Sequence, residues 1–281
     1  RWLRERMCLV SATSLHLNKE DVAVSFIELC RESGGPPHLG SFQGDVPMYA
    51  SGASKMVYAV ALGHKLQQNN GKVGGKMRSD LHAMLADGSA ESTNRIVDAI
   101  SGTQSGDELS GGDFRSFTKK RNYANWMFQC VGFQNFNVNQ KMWLGDPSPR
   151  DLQLLGAKQN LNYTNSNRMT SNQAAALLFL LNENAVISQR FSCELKDDMT
   201  RQVTQVKRGD LSGIAAGLPA GSRMLGIQGY TKQDFNDIEL VTLPNARSYI
   251  LAVMTRYNET PTNFVPNLSR IVSHRMMTKT G

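Results

Sequence analysis

Apolar and polar positions follow two different rhythms along this chain. Val22-Ala-Val-Ser-Phe-Ile-Glu-Leu29 is dense in apolar and β-branched residues and reads as a strand. Gly34-Gly-Pro-Pro37 breaks it, and a second short strand is expected before Asp45. Ahead of it, residues 2–16 read as a helix, with Trp2, Met7, Leu9 and Val10 as apolar positions. From Ala53 to Leu66 the pattern changes. Met56, Val57, Tyr58, Ala59, Val60, Ala61 and Leu62 are apolar almost all round, which marks a helix buried on every side. Residues 78–101 carry two more helical patterns joined at Asp87-Gly88.

Two stretches lack a clear period. Residues 103–125 are polar, with Ser105-Gly106 and Gly111-Gly112, and read as a loop or exposed excursion. Residues 144–168 contain Pro147, Pro149 and several Asn, and read as irregular. Thr170 then caps a helix to about Asn182, with Ala174, Leu177, Leu178 and Leu181 at helical spacing. A further helix is expected over 190–206. Ser222–Tyr230, Ile238–Leu243 and Tyr249–Thr255 read as strands, the last two joined by a tight turn at Pro244-Asn-Ala-Arg247. A helix from about Asn263 to Met277 closes the chain.

This order predicts an α+β fold: an antiparallel sheet built from both chain ends and flanked by helices, plus a helical lobe. The expected division is a discontinuous sheet domain, 1–50 with 211–281, and a mostly helical domain, 51–210. No apolar run approaches the roughly 18–20 residues that span a bilayer, and a first residue of Arg1 leaves room for a removed signal. The net charge of +7 changes little, because the basic residues are scattered. Lys119-Lys120-Arg121 is the densest cluster and has no interleaved aromatics, so no nucleic-acid site is expected. Cys8, Cys30, Cys130 and Cys193 form no C-x-x-C pair, and His16, His38, His64, His82 and His274 show no ligand spacing. No metal and no cofactor is expected. Two disulfides or four thiols are equally compatible with the count. Sequons at Asn162, Asn258 and Asn267 are short enough to arise by chance.

Three segments carry chemistry of a recognisable kind. Tyr49-Ala-Ser-Gly-Ala-Ser-Lys55 precedes the buried helix. Met84-Leu-Ala-Asp-Gly-Ser-Ala-Glu-Ser-Thr-Asn94 enters the next helical pattern but one. Leu218-Pro-Ala-Gly-Ser-Arg-Met-Leu-Gly-Ile-Gln-Gly229 leads into the late strands. In this order the chain resembles the class A β-lactamases and penicillin-binding proteins from about Val22 to its C-terminus. The first segment is similar to that superfamily's Y-x-x-S-x-x-K, where the serine attacks a carbonyl and the lysine takes its proton. Aligned on Lys55, the serine position holds Gly52, and Ser51 and Ser54 stand beside it without the required spacing. The second resembles S-D-N but reads Gly88-Ser89-Ala90. A slip of one residue puts Ser89 at the relaying serine instead. The third resembles the strand ending in K-T-G and reads Ile227-Gln228-Gly229, with isoleucine in place of the lysine that holds a substrate carboxylate. A Lys279-Thr280-Gly281 triplet follows the last helix and has the wrong context. Asn165-Ser-Asn-Arg-Met-Thr170 resembles the end of the Ω-loop, with Asp146 and Asp151 as the nearest acids for water activation.

The resemblance implies a degenerate enzyme acting as a binding or scaffold module in the periplasm or outside the cell. Its partners would be a peptidoglycan-like or β-lactam-like ligand, or a protein. One rival reading is an active serine hydrolase, of β-lactamase or D,D-peptidase type, using Ser51, Ser54 or Ser89. Another is a structural subunit of a larger assembly. Engineering of Gly52 would explain one loss and leave the other two. Lys55 itself reads either as a retained proton carrier or as a hydrogen-bonded structural lysine. Glu91 and Asp98, seven apart on one helical face, read as a carboxylate pair or as a salt-bridging edge.

Overall fold

The computed structural model describes residues 18–29, 37–69, 73–143, 145–156, 165–203, 213–256 and 263–278. The expected helix over 2–16, Cys8, Cys30, His16, the Asn162 and Asn258 sequons and the C-terminal triplet lie outside these residues. In chain order the first elements are β1 (Val22–Glu28), β2 (His38–Phe42), β3 (Met48–Tyr49) and a 3₁₀ turn (Ser51–Ala53). Then come α1 (Ser54–Gln68), α2 (Gly75–Leu85), α3 (Ala90–Ser101), α4 (Gly111–Arg121), α5 (Tyr123–Cys130) and α6 (Pro149–Leu155). They are followed by β4 (Arg168–Met169), α7 (Ser171–Asn182), α8 (Gln189–Met199) and β5 (Thr200–Gln202). A 3₁₀ turn (Ile214–Gly217) leads into β6 (Arg223–Tyr230), β7 (Asp234–Thr242), β8 (Ser248–Arg256) and α9 (Phe264–Thr278).

The chain divides into two units. The first comprises Arg1–Ala53, Thr170–Glu183 and Met199–Gly281. Its sheet has the order β2-β1-β8-β7-β6-β5, with antiparallel pairing throughout. β7 and β8 are buried along almost their whole length, because both faces are covered. On one face Val22, Val24, Val241, Leu251 and Val253 pack with Phe264, Val265, Leu268 and Val272 of α9. Burying each such side chain contributes about 1.5–3 kcal/mol. The other face of β1, β7 and β8 carries α7, and Ser25 Oγ meets Ser171 Oγ at 2.8 Å. The division expected from the sequence had placed all of 51–210 with the helical part. α7 and β5 instead go with the sheet, since the apolar side of α7 needs a sheet face to cover it and β5 extends the edge beside β6. A capping box at Thr170 and Gln173 starts α7 where the sequence placed it.

The second unit comprises Ser54–Met169 and Asn184–Asp198. α1 is its axis. Ser54 through Gly63 are all buried, and α2, α3 and α5 pack around it. Three expectations need correction here. The stretch 103–125, expected as a loop or exposed excursion, is a loop only to Ser110 and then holds α4 and the start of α5. α4 is polar because only Phe117 and Arg121 of its residues are buried. The irregular stretch 144–168 contains α6, opened by Ser148, whose hydroxyl accepts from Asp151 N, with Pro149 at the first helical position. The helix expected over 190–206 ends at Met199 and becomes β5, because the edge of β6 offers that backbone a ladder.

Candidate functional site

The second unit holds Lys55, Gly88, Ser89 and Ala90. Lys55 lies in the first turn of α1 and is only 7% exposed. Its Nζ donates to the Gly88 carbonyl at 2.8 Å. No carboxylate pairs with it among the described residues, and burial pulls its pKa below the ordinary lysine value. Gly88 occupies the left-handed region at φ 74°, where other residues are strained. A Cβ there would lie 3.4 Å from the Lys55 amine. The residue aligned with the proton-relaying serine thus offers the lysine a backbone oxygen. A carbonyl accepts a hydrogen bond but relays no proton.

Ser89 is committed elsewhere. Its Oγ accepts from Ser92 N at 3.1 Å and caps α3, and its carbonyl accepts from Thr93 Oγ1 at 2.7 Å. Ala90 opens the helix. Asn94, four residues further on, clamps a distant segment: its Nδ2 donates to Met142 O at 2.8 Å and its Oδ1 accepts from Met142 N at 2.7 Å.

The first unit holds Ser51, Gly52, Ile227, Gln228 and Gly229. Asn236 Nδ2 on β7 donates to Tyr49 O at 2.8 Å and holds the segment before Gly52 against the sheet. Ser51 is buried at φ 36°, a strained setting for a residue with a side chain. Gly52 lies directly on Gly229. A Cβ on Gly52 would stand 2.5 Å from Gly229 Cα and 2.7 Å from Gln228 O. A Cβ on Gly229 would stand 2.2 Å from both Gly52 Cα and Gly52 N. Such separations are far inside van der Waals contact, so both positions need glycine as the backbones now run. Ile227 is buried at 3% exposure. Gln228 turns to the neighbouring strand, with Nε2 donating to Asp237 Oδ2 at 3.3 Å.

Of the acids considered for water activation, Asp151 is engaged elsewhere. Asp151 is fully buried: Arg121 Nη2 reaches Oδ1 at 2.8 Å, and Ser105 and Ser148 donate to Oδ2 at 2.6 and 2.7 Å. Asp146 is exposed. Glu91 and Asp98 form the salt-bridging edge rather than a carboxylate pair. Glu91 faces Arg95 at 3.6 Å, and Asp98 takes Lys141 at 2.6 Å with Arg121 at 3.7 Å. His64 bonds Tyr123 and His82 bonds Asp198. No three His, Cys, Asp or Glu converge on a metal position among the described residues. Cys130 and Cys193 are exposed free thiols. No helix among the described residues is long and apolar enough to cross a membrane.

Sequence reasoning overlooked the asparagine scaffold of the second unit. Asn167 Oδ1 accepts from Asn139 N and Gln140 N at 2.9 and 2.8 Å, and Asn137, Asn139 and Asn165 interlock beside it. The density of Asn in 122–139 and 162–167 was the available signal.

A buried helix headed by a lysine, a six-stranded antiparallel sheet and a glycine-ended strand define the penicillin-recognising serine-hydrolase fold. The family model described as β-lactamase enzyme family matches residues 115–276, more than half of the sequence, and the chain belongs to that family. Among solved structures, the TLA-1 extended-spectrum β-lactamase aligns with TM-score 0.72 at 14% identity, covering 99% of this chain and 98% of the other. A β-lactamase from Chitinophaga pinensis aligns at 0.70 and 12%, covering 98% and 99%. PBP-A aligns at 0.66 and 17%, covering 99% and 96%. At these identities the likeness is one of fold. No curated sequence matches the chain.

Proposed function

We propose that this chain is a catalytically degenerate β-lactamase-like protein that works as a binding or scaffold module, in the periplasm or outside the cell. The observation that carries this reading is the seating of Gly52 on Gly229. The position aligned with the nucleophile lacks a hydroxyl, and it also lacks room for the carbon that would bear one. Three further features support it. Lys55 is bonded to a carbonyl, Ser89 is a helix cap, and Ile227 replaces the carboxylate-holding lysine. The alternative nucleophiles Ser51 and Ser54 are buried and engaged in interactions of their own.

A solved structure of a PBP-A variant, 18% identical to this chain, is described as an acyl-enzyme complex with penicillin G. Penicillin G is therefore the probe of choice. Incubated with excess penicillin G, both this protein and its Gly52→Ser variant are expected to keep their unmodified intact mass. A stoichiometric covalent adduct on the parent protein would overturn the reading in favour of an active serine hydrolase. Reversible binding of penicillin G or of a peptidoglycan fragment, read by calorimetry, would identify the ligand class that the module retains.

A further inference from the structure

A second polar cluster lies in the first unit, on the sheet itself. Asp237 and Glu239 are two residues apart on β7, so their side chains leave the same face. In the register Asp237 stands opposite Gln228, Glu239 opposite Gly226, and Arg201 of β5 opposite Met224 of β6. Arg201, Gly226, Gln228, Asp237 and Glu239 therefore share one face. Glycine at 226 makes room for the acid: a Cβ there would lie 2.5 Å from Glu239 Oε2.

Both carboxyl groups are shut off from water, with Asp237 2% and Glu239 1% exposed. Asp237 Oδ2 accepts from Ile214 N at 2.7 Å and from Gln228 Nε2 at 3.3 Å. Glu239 Oε1 accepts from the Arg201 guanidinium. The other two oxygens, Asp237 Oδ1 and Glu239 Oε2, are buried with no donor. Among the described residues, two carboxylates and one guanidinium leave one buried negative charge without a counterion, and two acceptors without protons, a combination proteins avoid. One proton on the pair removes both defects.

We propose that Asp237 and Glu239 hold one proton between them, and that this proton is a latch that keeps Gln228 and Arg201 fixed to the sheet until alkali removes it. Among the described residues, the charged group that acts on the pair from outside it is Arg201 of β5. β6 contributes the Gln228 amide, and the 3₁₀ turn before it contributes the Ile214 N–H. Burial first, and then the charge of Asp237, pushes Glu239 up to about 8 against the opposing pull of Arg201. Burial also raises Asp237. The pair titrates as a unit.

The sign follows from proton counting. The unfolded chain loses the Glu239 proton near the ordinary value of 4.5, whereas the folded chain keeps it to about 8. Between these values the folded state binds more protons, so stability falls as pH rises, roughly tenfold in the unfolding constant per pH unit, and levels off above. Below the window both states hold the proton and the effect vanishes. Loss of the proton sets two buried anions side by side. Their repulsion then acts on Gln228 and on the edge strand through Arg201.

Glu239→Gln imitates the protonated group: its amide donates to Asp237 and its oxygen accepts from Arg201. Urea unfolding across the window is expected to show the parent's unfolding constant climbing relative to that of the variant, which stays flat. Parallel curves would overturn the proposal. A second measurement needs no variant. In the ¹³C NMR titration of the parent, one carboxyl carbon is expected to titrate with a midpoint near 8, and the Gln228 side-chain amide resonances to move with it. If every carboxyl carbon titrates in the ordinary acid range, or if the Gln228 amide stays still, the latch does not exist.

Discussion

Gly52 and Lys55 stand three residues apart in the chain, and on the reading proposed above each departs from the family motif by a different route. At Gly52 the loss is one of space, with the Gly229 backbone occupying the place of a side chain. At Lys55 the side chain survives, buried at the head of α1, and the loss lies in its partner: a carbonyl oxygen where a hydroxyl would relay protons. A steric loss is hard to reverse by one substitution, because strand β6 would have to move with it. A change of partner leaves the amine in place, bonded to a carbonyl that relays no proton. On the reading proposed above, degeneracy is a property of the backbone as much as of the side chains.

The sharpest way to break this contrast is Gly229→Ala. Its Cβ would meet Gly52 at 2.2 Å, and both contacting atoms belong to backbone. Overpacking of this kind costs about 3 kcal/mol, the upper part of the usual range. Urea unfolding at neutral pH is the measurement. A variant as stable as the parent would mean that β6 shifts freely, and the steric half of the contrast would fail. Gly88→Ala tests the other half with a smaller effect. The new Cβ meets only the Lys55 amine, at an ordinary 3.4 Å, so the cost comes from φ 74° alone. A loss of about 1–2 kcal/mol is expected by the same measurement. A loss as large as that of Gly229→Ala would show that Gly88 is also sterically closed.

Much of this was legible along the chain, and the exceptions have physical causes. β8 and α1 announced themselves, since a strand or helix buried on both sides needs apolar residues at nearly every position. α4 did not. Its buried positions are Phe117 and an arginine, and the reason Arg121 can be buried is Asp151, thirty residues away, at 2.8 Å. A long-range ion pair writes no period into the sequence. Motif spacing singled out Gly52, Lys55 and Gly229 as candidates, and the structure seats Gly52 against Gly229. Spacing did not find the acceptor of Lys55, because a backbone carbonyl belongs to every residue and has no sequence signature. It also gave no warning that Gln228 turns toward Asp237, since pairing across strands depends on register.

The finest test concerns whether Lys55 keeps any of its former character. Burial favours the neutral amine, so the folded-state pKa lies below the ordinary 10.5 of the unfolded chain. Below the folded value both states are charged, and the folded protein bears the full cost of a buried cation. As pH rises from the folded value to 10.5, the unfolded chain still binds the proton that the folded chain has released, and stability climbs. Lys55→Met removes that climb. It also removes a donor from the Gly88 carbonyl, but Gly88 is exposed and water replaces the bond. The two changes oppose each other at neutral pH, where the net effect on stability is expected to stay below about 1 kcal/mol. The difference between parent and variant should therefore open on the alkaline limb of a stability–pH curve, with the parent gaining on the variant. If the difference is constant across that limb, Lys55 is a plain structural cation with an ordinary proton affinity.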